Sequence, residues 1–110
     1  MHEVGIVQNL IDHAVRAAAG RPIKQIHVAL GELADLSPEA LHFYFDELRT
    51  GTLAAGARLV VRVEPCRAQC PLCGREFVID SECAACPECG SLRLKVTAGD
   101  RLALEAVDVA

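Results

Sequence analysis

The chain has 110 residues, of which 52% are hydrophobic, and a formal net charge of -4. This composition excludes a disordered chain, and the length suits one domain or a small domain with a metal-stabilised module. No apolar stretch approaches the roughly 18 residues of a membrane span, and the first residues lack the basic segment of a signal peptide. We therefore expect a cytoplasmic metalloprotein, in which cysteines serve as metal ligands rather than forming disulfides.

The first predicted element is a helix over residues 3–19, where apolar side chains recur every three or four positions. Gly20 and then Pro22 end it, in the order that is usual after a helix. Apolar and less apolar residues then alternate over 25–30, which predicts a strand with one buried face.

A second helix is predicted over residues 38–48, because Ser37 followed by Pro38 is typical of a helix start. Alternation over 58–64 predicts another strand. A final strand with a slip near Asp108 is predicted from four apolar residues: Leu102, Leu104, Ala106 and Val109. Together these elements predict an α+β fold with two helices on one face of a small three-stranded sheet, mixed or antiparallel.

All six cysteines fall within residues 66–92, which interrupt the pattern of the main domain. We therefore predict two domains. Residues 1–65 and 93–110 form the main domain, and residues 66–92 form an inserted module resembling a zinc ribbon.

The inserted segment contains two nearly identical motifs, Cys70-Pro-Leu-Cys73-Gly and Cys86-Pro-Glu-Cys89-Gly. Each motif can place two thiolates on one side of a tight turn, and two such turns supply the four soft ligands that structural Zn(II) prefers. Because four thiolates fill the coordination shell, the predicted site is structural. Iron in a rubredoxin-like site is the rival metal.

Cys66 and Cys83 remain outside the two motifs. Cys83 and Cys86 also have CxxC spacing, but Cys83 lacks the following Pro and Gly, which favours the pairing of Cys86 with Cys89. The two extra cysteines are interpreted as spare or partly buried thiols.

The first three residues, Met1-His2-Glu3, form a second candidate site. The Met1 amine, the His2 backbone nitrogen and its imidazole can chelate one ion, and the Glu3 backbone nitrogen or another side chain can complete the set. Nitrogen-rich planar coordination suits Ni(II) and Cu(II). Taken alone, a histidine at position 2 is more often a solvated residue.

The whole sequence resembles the HypA/HybF family of hydrogenase maturation nickel metallochaperones. The resemblance rests on the opening Met1-His2-Glu3, the two cysteine motifs and the short C-terminal strand, together with three further segments: Gly31-Glu32-Leu33, Ser37-Pro38-Glu39-Ala40-Leu41 and Gly51-Thr52-Leu53-Ala54-Ala55-Gly56-Ala57-Arg58-Leu59.

The resemblance implies a nickel-binding domain built from both ends of the chain, with a zinc-binding domain between them. It implies that His2 is the principal nickel ligand, with Met1 and Glu3 around it, and that the cysteines of the two motifs bind zinc. The implied function is delivery of Ni(II) as cargo to the [NiFe]-hydrogenase large subunit, in cooperation with the GTPase HypB. The implied protein is not an enzyme, and a homodimer is left open.

Two other functions compete with that of a nickel metallochaperone. A zinc ribbon that binds nucleic acid or another protein is the main alternative, but residues 66–92 hold two arginines against four acidic residues, which disfavours a phosphate-binding surface. A rubredoxin-like electron carrier is the third reading. No nucleophile–histidine spacing and no glycine-rich phosphate loop stands out in the sequence.

Overall fold

The computed structural model describes residues 2–80 and 85–110, and for His2 only the backbone. The elements are, in chain order, α1 (His2–Ala18), β1 (Ile23–Gly31), α2 (Pro38–Leu48), β2 (Arg58–Glu64), β3 (Cys66–Gln69), β4 (Glu76–Ile79), β5 (Lys95–Ala98) and β6 (Leu102–Val109). They form two three-stranded sheets, with strand orders β2-β1-β6 and β4-β3-β5.

Helix α1 contributes its apolar stripe to the main core. Val7, Ile11 and Ala14 are fully buried there, as the three- to four-residue spacing predicts. After the helix, Ala19 and Gly20 both adopt positive φ angles of 51° and 86°. These angles reverse the chain before β1, and a glycine takes the second position at little steric cost.

Helix α2 begins as the sequence predicts. Ser37 is the N-cap, its Oγ accepts a hydrogen bond of 3.1 Å from the Ala40 N–H, and Pro38 takes the first helical position. Leu41 and Phe45 are buried in the same cluster as the α1 stripe. The two helices therefore share one core with the main sheet.

The main sheet is mixed, because β1 is parallel to β2 and antiparallel to β6. Parallel β1 and β2 are joined through α2, which is the kind of crossover that a parallel pair requires. The α+β prediction of two helices on a three-stranded sheet is confirmed.

The final strand differs from its predicted pattern. Leu102, Leu104 and Val107 pack against the core while Ala106 is exposed. The register shifts between the His27–Ala106 and Val28–Leu104 pairs, so an extra residue lies in β6 at that point. A bulge moves every following side chain to the other face. Ala106 therefore does not belong to the apolar face of β6, whereas the predicted slip near Asp108 is confirmed by a second register shift, between the Ile23–Val109 and Gln25–Asp108 pairs.

A charged pair covers the face of the main sheet that lies away from the helices. The Arg62 guanidinium on β2 donates to both carboxylate oxygens of Glu105 on β6, at 3.2 and 2.8 Å. Ala29 lies between them on β1, paired with Arg62, and is only 3% exposed. On the same face, His27 Nε2 is 2.9 Å from an Asp108 carboxylate oxygen.

The second sheet has β3 in its centre and a small core of its own. Cys66, Ala68 and Ile79 are buried there, with Phe77 and Val96 packed against them. Strand β5, Lys95–Ala98, belongs to this sheet although it follows the predicted 66–92 segment. The two-domain division itself stays a prediction.

The two sheets meet through close backbone contacts. The Leu33 N–H, in the loop after β1, donates to Gly99 O, between β5 and β6, at 3.1 Å. A Cβ added to Gly31 would lie 2.2 Å from backbone atoms of Gly99. Leu33 also packs against the core of the second sheet, so the loop after β1 joins both cores.

The helices of this fold are not suited to cross a membrane. Within residues 2–80 and 85–110, no helix is both long enough and apolar enough to span a bilayer.

Candidate metal centre

The first cysteine motif forms a tight turn between β3 and β4. The Gly74 N–H donates to Cys70 O at 2.7 Å, and the Cys70 N–H donates to Arg75 O at 3.0 Å. Gly74 has a φ of +76°, a conformation that side chains with a Cβ rarely adopt. This explains why a glycine follows Cys73 directly.

The second motif repeats the same turn. The Gly90 N–H donates to Cys86 O at 2.8 Å, and the Cys86 N–H donates to Ser91 O at 2.9 Å. Gly90 has a φ of +74°, within two degrees of its counterpart in the first turn. The structure therefore presents two equivalent turns, each carrying two thiols.

The two turns face each other and bring four sulfur atoms together. Their Sγ atoms all lie within 4.8 Å of one another, and the residues are Cys70, Cys73, Cys86 and Cys89. Two Sγ–Sγ distances across the turns, Cys70 to Cys89 and Cys73 to Cys86, are 3.6 Å each. Four sulfurs at about 2.3 Å from a central Zn(II) would lie about 3.8 Å apart in a tetrahedron. The cluster therefore fits a tetrathiolate metal site.

The two turns present one buried and one exposed cysteine each. Cys70 and Cys86 are buried, while Cys73 and Cys89 are exposed. The Arg75 guanidinium of the first turn bonds to the Glu88 carboxylate of the second. This ion pair links the turns at the surface.

The thiols of the cluster differ in acidity because their hydrogen bonds differ. The Cys89 backbone N–H is the main influence on Cys86 and lowers its pKa to about 7. For Cys89, the Ser91 N–H exerts the largest single influence and lowers the pKa, but hydrogen bonds with the Cys70 and Cys86 thiols outweigh it and raise the pKa to about 11. The Cys86 thiol therefore ionises more readily than the Cys89 thiol, and a bound cation would favour the thiolate forms.

Of the two cysteines outside the motifs, the structure describes only Cys66. Cys66 is buried beside Ala68 and Ile79 in the core of the second sheet and does not belong to the four-sulfur cluster. Cys83 lies outside the described residues.

The predicted amino-terminal site is described only in part. Met1 lies outside the described residues, as does the His2 side chain, while the backbone of α1 begins at His2. Glu3 is half-buried in the first turn of the helix. The other histidine of α1, His13, is exposed more than two helical turns further along.

Two features around the metal centre were not predicted from the sequence. One is the Arg75–Glu88 ion pair between the two turns, in which both side chains are 55% exposed. The other is the packing of Leu33 against the core of the second sheet. The only sequence signal for Leu33 was its position after Gly31, where a turn leaves β1.

Fold and cluster together define a small α+β metal-binding protein with an inserted four-cysteine module. The family described as "Hydrogenase/urease nickel incorporation, metallochaperone, hypA" matches residues 1–109. Curated relatives named "Hydrogenase maturation factor HypA" include one from Geobacter sulfurreducens, 37% identical and covering 99% of both chains. Another, from Chlorobium luteolum, is 38% identical over 97% of this chain and 94% of its own.

A solved structure supports the same fold. The solution structure titled as the Ni metallochaperone HypA from Helicobacter pylori superposes with a TM-score of 0.79 over 97% of this chain and 96% of that one, at 21% identity. The chain belongs to the HypA family, a family of nickel metallochaperones of hydrogenase maturation and not of enzymes. The resemblance noted from the sequence is thereby confirmed.

Proposed function

We propose that this chain binds Ni(II) at its amino terminus, through the Met1 amine, the His2 imidazole and backbone nitrogen, and the Glu3 backbone nitrogen or side chain. The observation that carries the proposal is the start of α1 at His2, in a chain of the nickel metallochaperone family. The first four N–H groups of a helix have no intrahelical acceptor. The backbone nitrogens of His2 and Glu3 are therefore not committed to helical hydrogen bonds.

A cation bound at this helix end requires negative charge nearby. The N-terminus of a helix carries a partial positive charge, equivalent to about half a unit, and disfavours a cation. Glu3 places a carboxylate in the first turn, and backbone nitrogens that lose their protons add negative charge. A site at the terminus also suits transfer, because a partner can replace its ligands one at a time.

The test is a calorimetric nickel titration of zinc-loaded protein with its native Met1, beside the variants His2→Ala and His13→Ala. We expect one nickel per chain in the native protein and in His13→Ala, and none at that site in His2→Ala. The control histidine lies on the same helix and is exposed. Undiminished binding in His2→Ala would refute the site.

We further propose that the nickel is delivered to the large subunit of a [NiFe]-hydrogenase, together with the GTPase HypB. The curated relatives carry the name of hydrogenase maturation factors, which supports this target. The decisive assay transfers nickel from the loaded chain to a purified large-subunit precursor, in the presence of a chelator that captures released metal. Transfer no faster than from free nickel would contradict delivery.

We propose a structural Zn(II) in the four-cysteine cluster. Four sulfurs fill the tetrahedral coordination shell of zinc, and two of the four cysteines are buried. Both features support a site that retains its metal. Cys89→Ser should lower the zinc content and speed amide exchange in β3–β5, because the small core of the second sheet depends on the metal for stability. Cys66→Ala is the matched control, since Cys66 is outside the cluster, and it should keep its zinc. Full zinc content in Cys89→Ser would contradict the assignment.

The nucleic-acid alternative finds little support on the surface of the module. Arg67 is paired with Glu76 at 3.0 Å, and Arg75 is paired with Glu88. Paired guanidinium groups contribute less to phosphate binding than unpaired ones, because the carboxylate repels the phosphate. Salt-dependent binding of the zinc-loaded protein to DNA or RNA would revive this alternative.

A further inference from the structure

The two cysteine turns each carry a charged residue that the other turn lacks. Arg75 comes directly after the first motif, and Ser91 takes the equivalent position after the second. Glu88 precedes the last cysteine of the second motif, where the first motif has Leu72. The Arg75 guanidinium bonds to the Glu88 carboxylate. The two motifs therefore differ at the two positions that form an ion pair between them.

Both residues of this ion pair also hold a cluster sulfur through their backbone. The Arg75 N–H donates to the Cys73 sulfur, and the Glu88 N–H donates to the Cys86 sulfur. These two sulfurs lie 3.6 Å apart across the turns. The side-chain ion pair and the sulfur pair are therefore anchored at the same two backbone positions.

The second turn depends on the first turn for its position. The first turn joins β3 to β4, and these strands pair with each other. Residues 86–91 lie outside the strands of this sheet, and the two backbone hydrogen bonds described above for the second turn are internal to it. A side-chain contact with the first turn therefore restrains a segment that lies outside the paired strands.

For a metal held by four thiolates to leave, the two turns must separate. Each turn supplies two of the four sulfurs, so a competing chelator gains access when one turn moves away together with its two ligands. A contact that joins the turns without involving the metal opposes this motion.

We propose that the Arg75–Glu88 ion pair is a clasp between the two cysteine turns, which slows the loss of the metal bound by the four cysteines. The inference rests on the zinc site proposed above and adds two residues to it. Arg75 and Glu88 are positioning residues, because they act through the cysteines that they hold.

A clasp and a simple charge effect predict different results. Zn(II) with four thiolates carries a net negative charge, so a nearby positive side chain favours retention of the metal and a nearby negative one disfavours it. Arg75→Gln should speed zinc release in both cases. Glu88→Gln distinguishes them, because loss of the clasp speeds release whereas loss of a negative charge alone slows it.

The measurement is the rate of zinc transfer from the zinc-loaded full chain to an excess of a chromogenic chelator, at constant pH. We expect Arg75→Gln and Glu88→Gln each to release zinc about two- to fivefold faster than the native protein, which is the effect of losing one exposed ion pair. The double variant Arg75→Gln/Glu88→Gln should be no faster than the single variants, because all three lack the same contact. The exchanged variant Arg75→Glu/Glu88→Arg restores the ion pair and should release zinc at close to the native rate.

A second ion pair of the same sheet provides the matched control. Arg67 is paired with Glu76 at 3.0 Å, but this pair joins β3 to β4 and does not reach the second turn. Arg67→Gln makes the same chemical change as Arg75→Gln and should leave the release rate unchanged. Zinc content and circular dichroism before mixing verify that each variant is loaded and folded.

Ionic strength provides an independent readout. Raising the salt concentration from about 0.1 M to about 1 M shortens the Debye length from about 10 Å to about 3 Å. The native protein should then release zinc at a rate closer to that of the single variants. The double variant Arg75→Gln/Glu88→Gln should respond less, because it has no clasp to screen.

The outcomes distinguish the clasp from the zinc site on which it rests. Faster release from both single variants, with recovery in the exchanged variant, supports the clasp. Full zinc content with unchanged rates would overturn the clasp alone, as would slower release from Glu88→Gln or additive acceleration in the double variant. A native chain that binds no zinc would overturn the site itself, and the clasp with it.

Discussion

Gly99 lies where the two sheets approach each other closely, and its replacement by alanine tests how tightly they are joined. A Cβ at this position would lie 2.3 Å from Pro65 O and 2.4 Å from Cys66 Cα. Both neighbours are backbone atoms that cannot rotate away. Gly99 also has a φ of +83°, which alanine adopts only with strain.

The expected cost has two parts. The left-handed backbone costs an alanine about 1–2 kcal/mol. Forcing a methyl group into packed surroundings adds about 1–3 kcal/mol. Gly99→Ala should therefore lower the free energy of unfolding by about 2–5 kcal/mol, a large part of the roughly 5–15 kcal/mol available to a native domain.

Two other glycines separate the two contributions. Gly51 has a φ of +78° but nothing within 4 Å of an added Cβ, so Gly51→Ala carries the backbone cost alone. Gly31 has no positive φ but an added Cβ would lie 2.2 Å from Gly99, so Gly31→Ala carries the steric cost alone.

The assay is urea denaturation followed by circular dichroism, at constant zinc concentration because a metal bound to the folded state adds stability. We expect Gly99→Ala to be the least stable of the three variants. If Gly99→Ala were no less stable than Gly51→Ala, the close approach between the sheets would carry no energetic weight, and the reasoning would fail.

Two further predictions concern the sheet surface and the junction. The hydrogen bond from Arg62 lowers the pKa of Glu105, so its stabilisation is present above the ordinary pKa of a glutamate and is lost as pH falls through the lowered value in the folded protein. The stability difference between native protein and Glu105→Gln, from urea midpoints, should therefore shrink on acidification; a constant difference would contradict this. Leu33→Ala should cost about 1–2 kcal/mol, since Leu33 is only partly buried. Amide exchange should then accelerate in β3–β5 more than in β1, and equal acceleration everywhere would refute a local role.

Local sequence signals predicted the helices well. The Ser37-Pro38 start of α2 is a local device, in which a hydroxyl accepts from the N–H three residues later, and the structure contains this hydrogen bond. The stripe of α1 is likewise set by helical periodicity alone. Such features depend on neighbours within one or two turns, so sequence is sufficient to predict them.

Strand features were less predictable because they depend on partners far along the chain. The bulge in β6 exists only relative to β1, more than seventy residues earlier, and it moved Val107 inward and Ala106 outward. The strands of the second sheet, β3, β4 and β5, were not predicted at all. Each has four residues, too few for alternation to stand out from the surrounding loops.

The sequence by itself determined the local parts of this protein: two amphipathic helices with their caps, and two cysteine turns whose glycines allow the required backbone. Tertiary structure decided how these parts combine. It brought the four sulfurs within 4.8 Å, laid Arg62 and Glu105 across Ala29, and packed Gly31 against Gly99. The physical reason is range, because caps and turns are fixed by nearby backbone geometry while register and close approach arise only when distant segments meet.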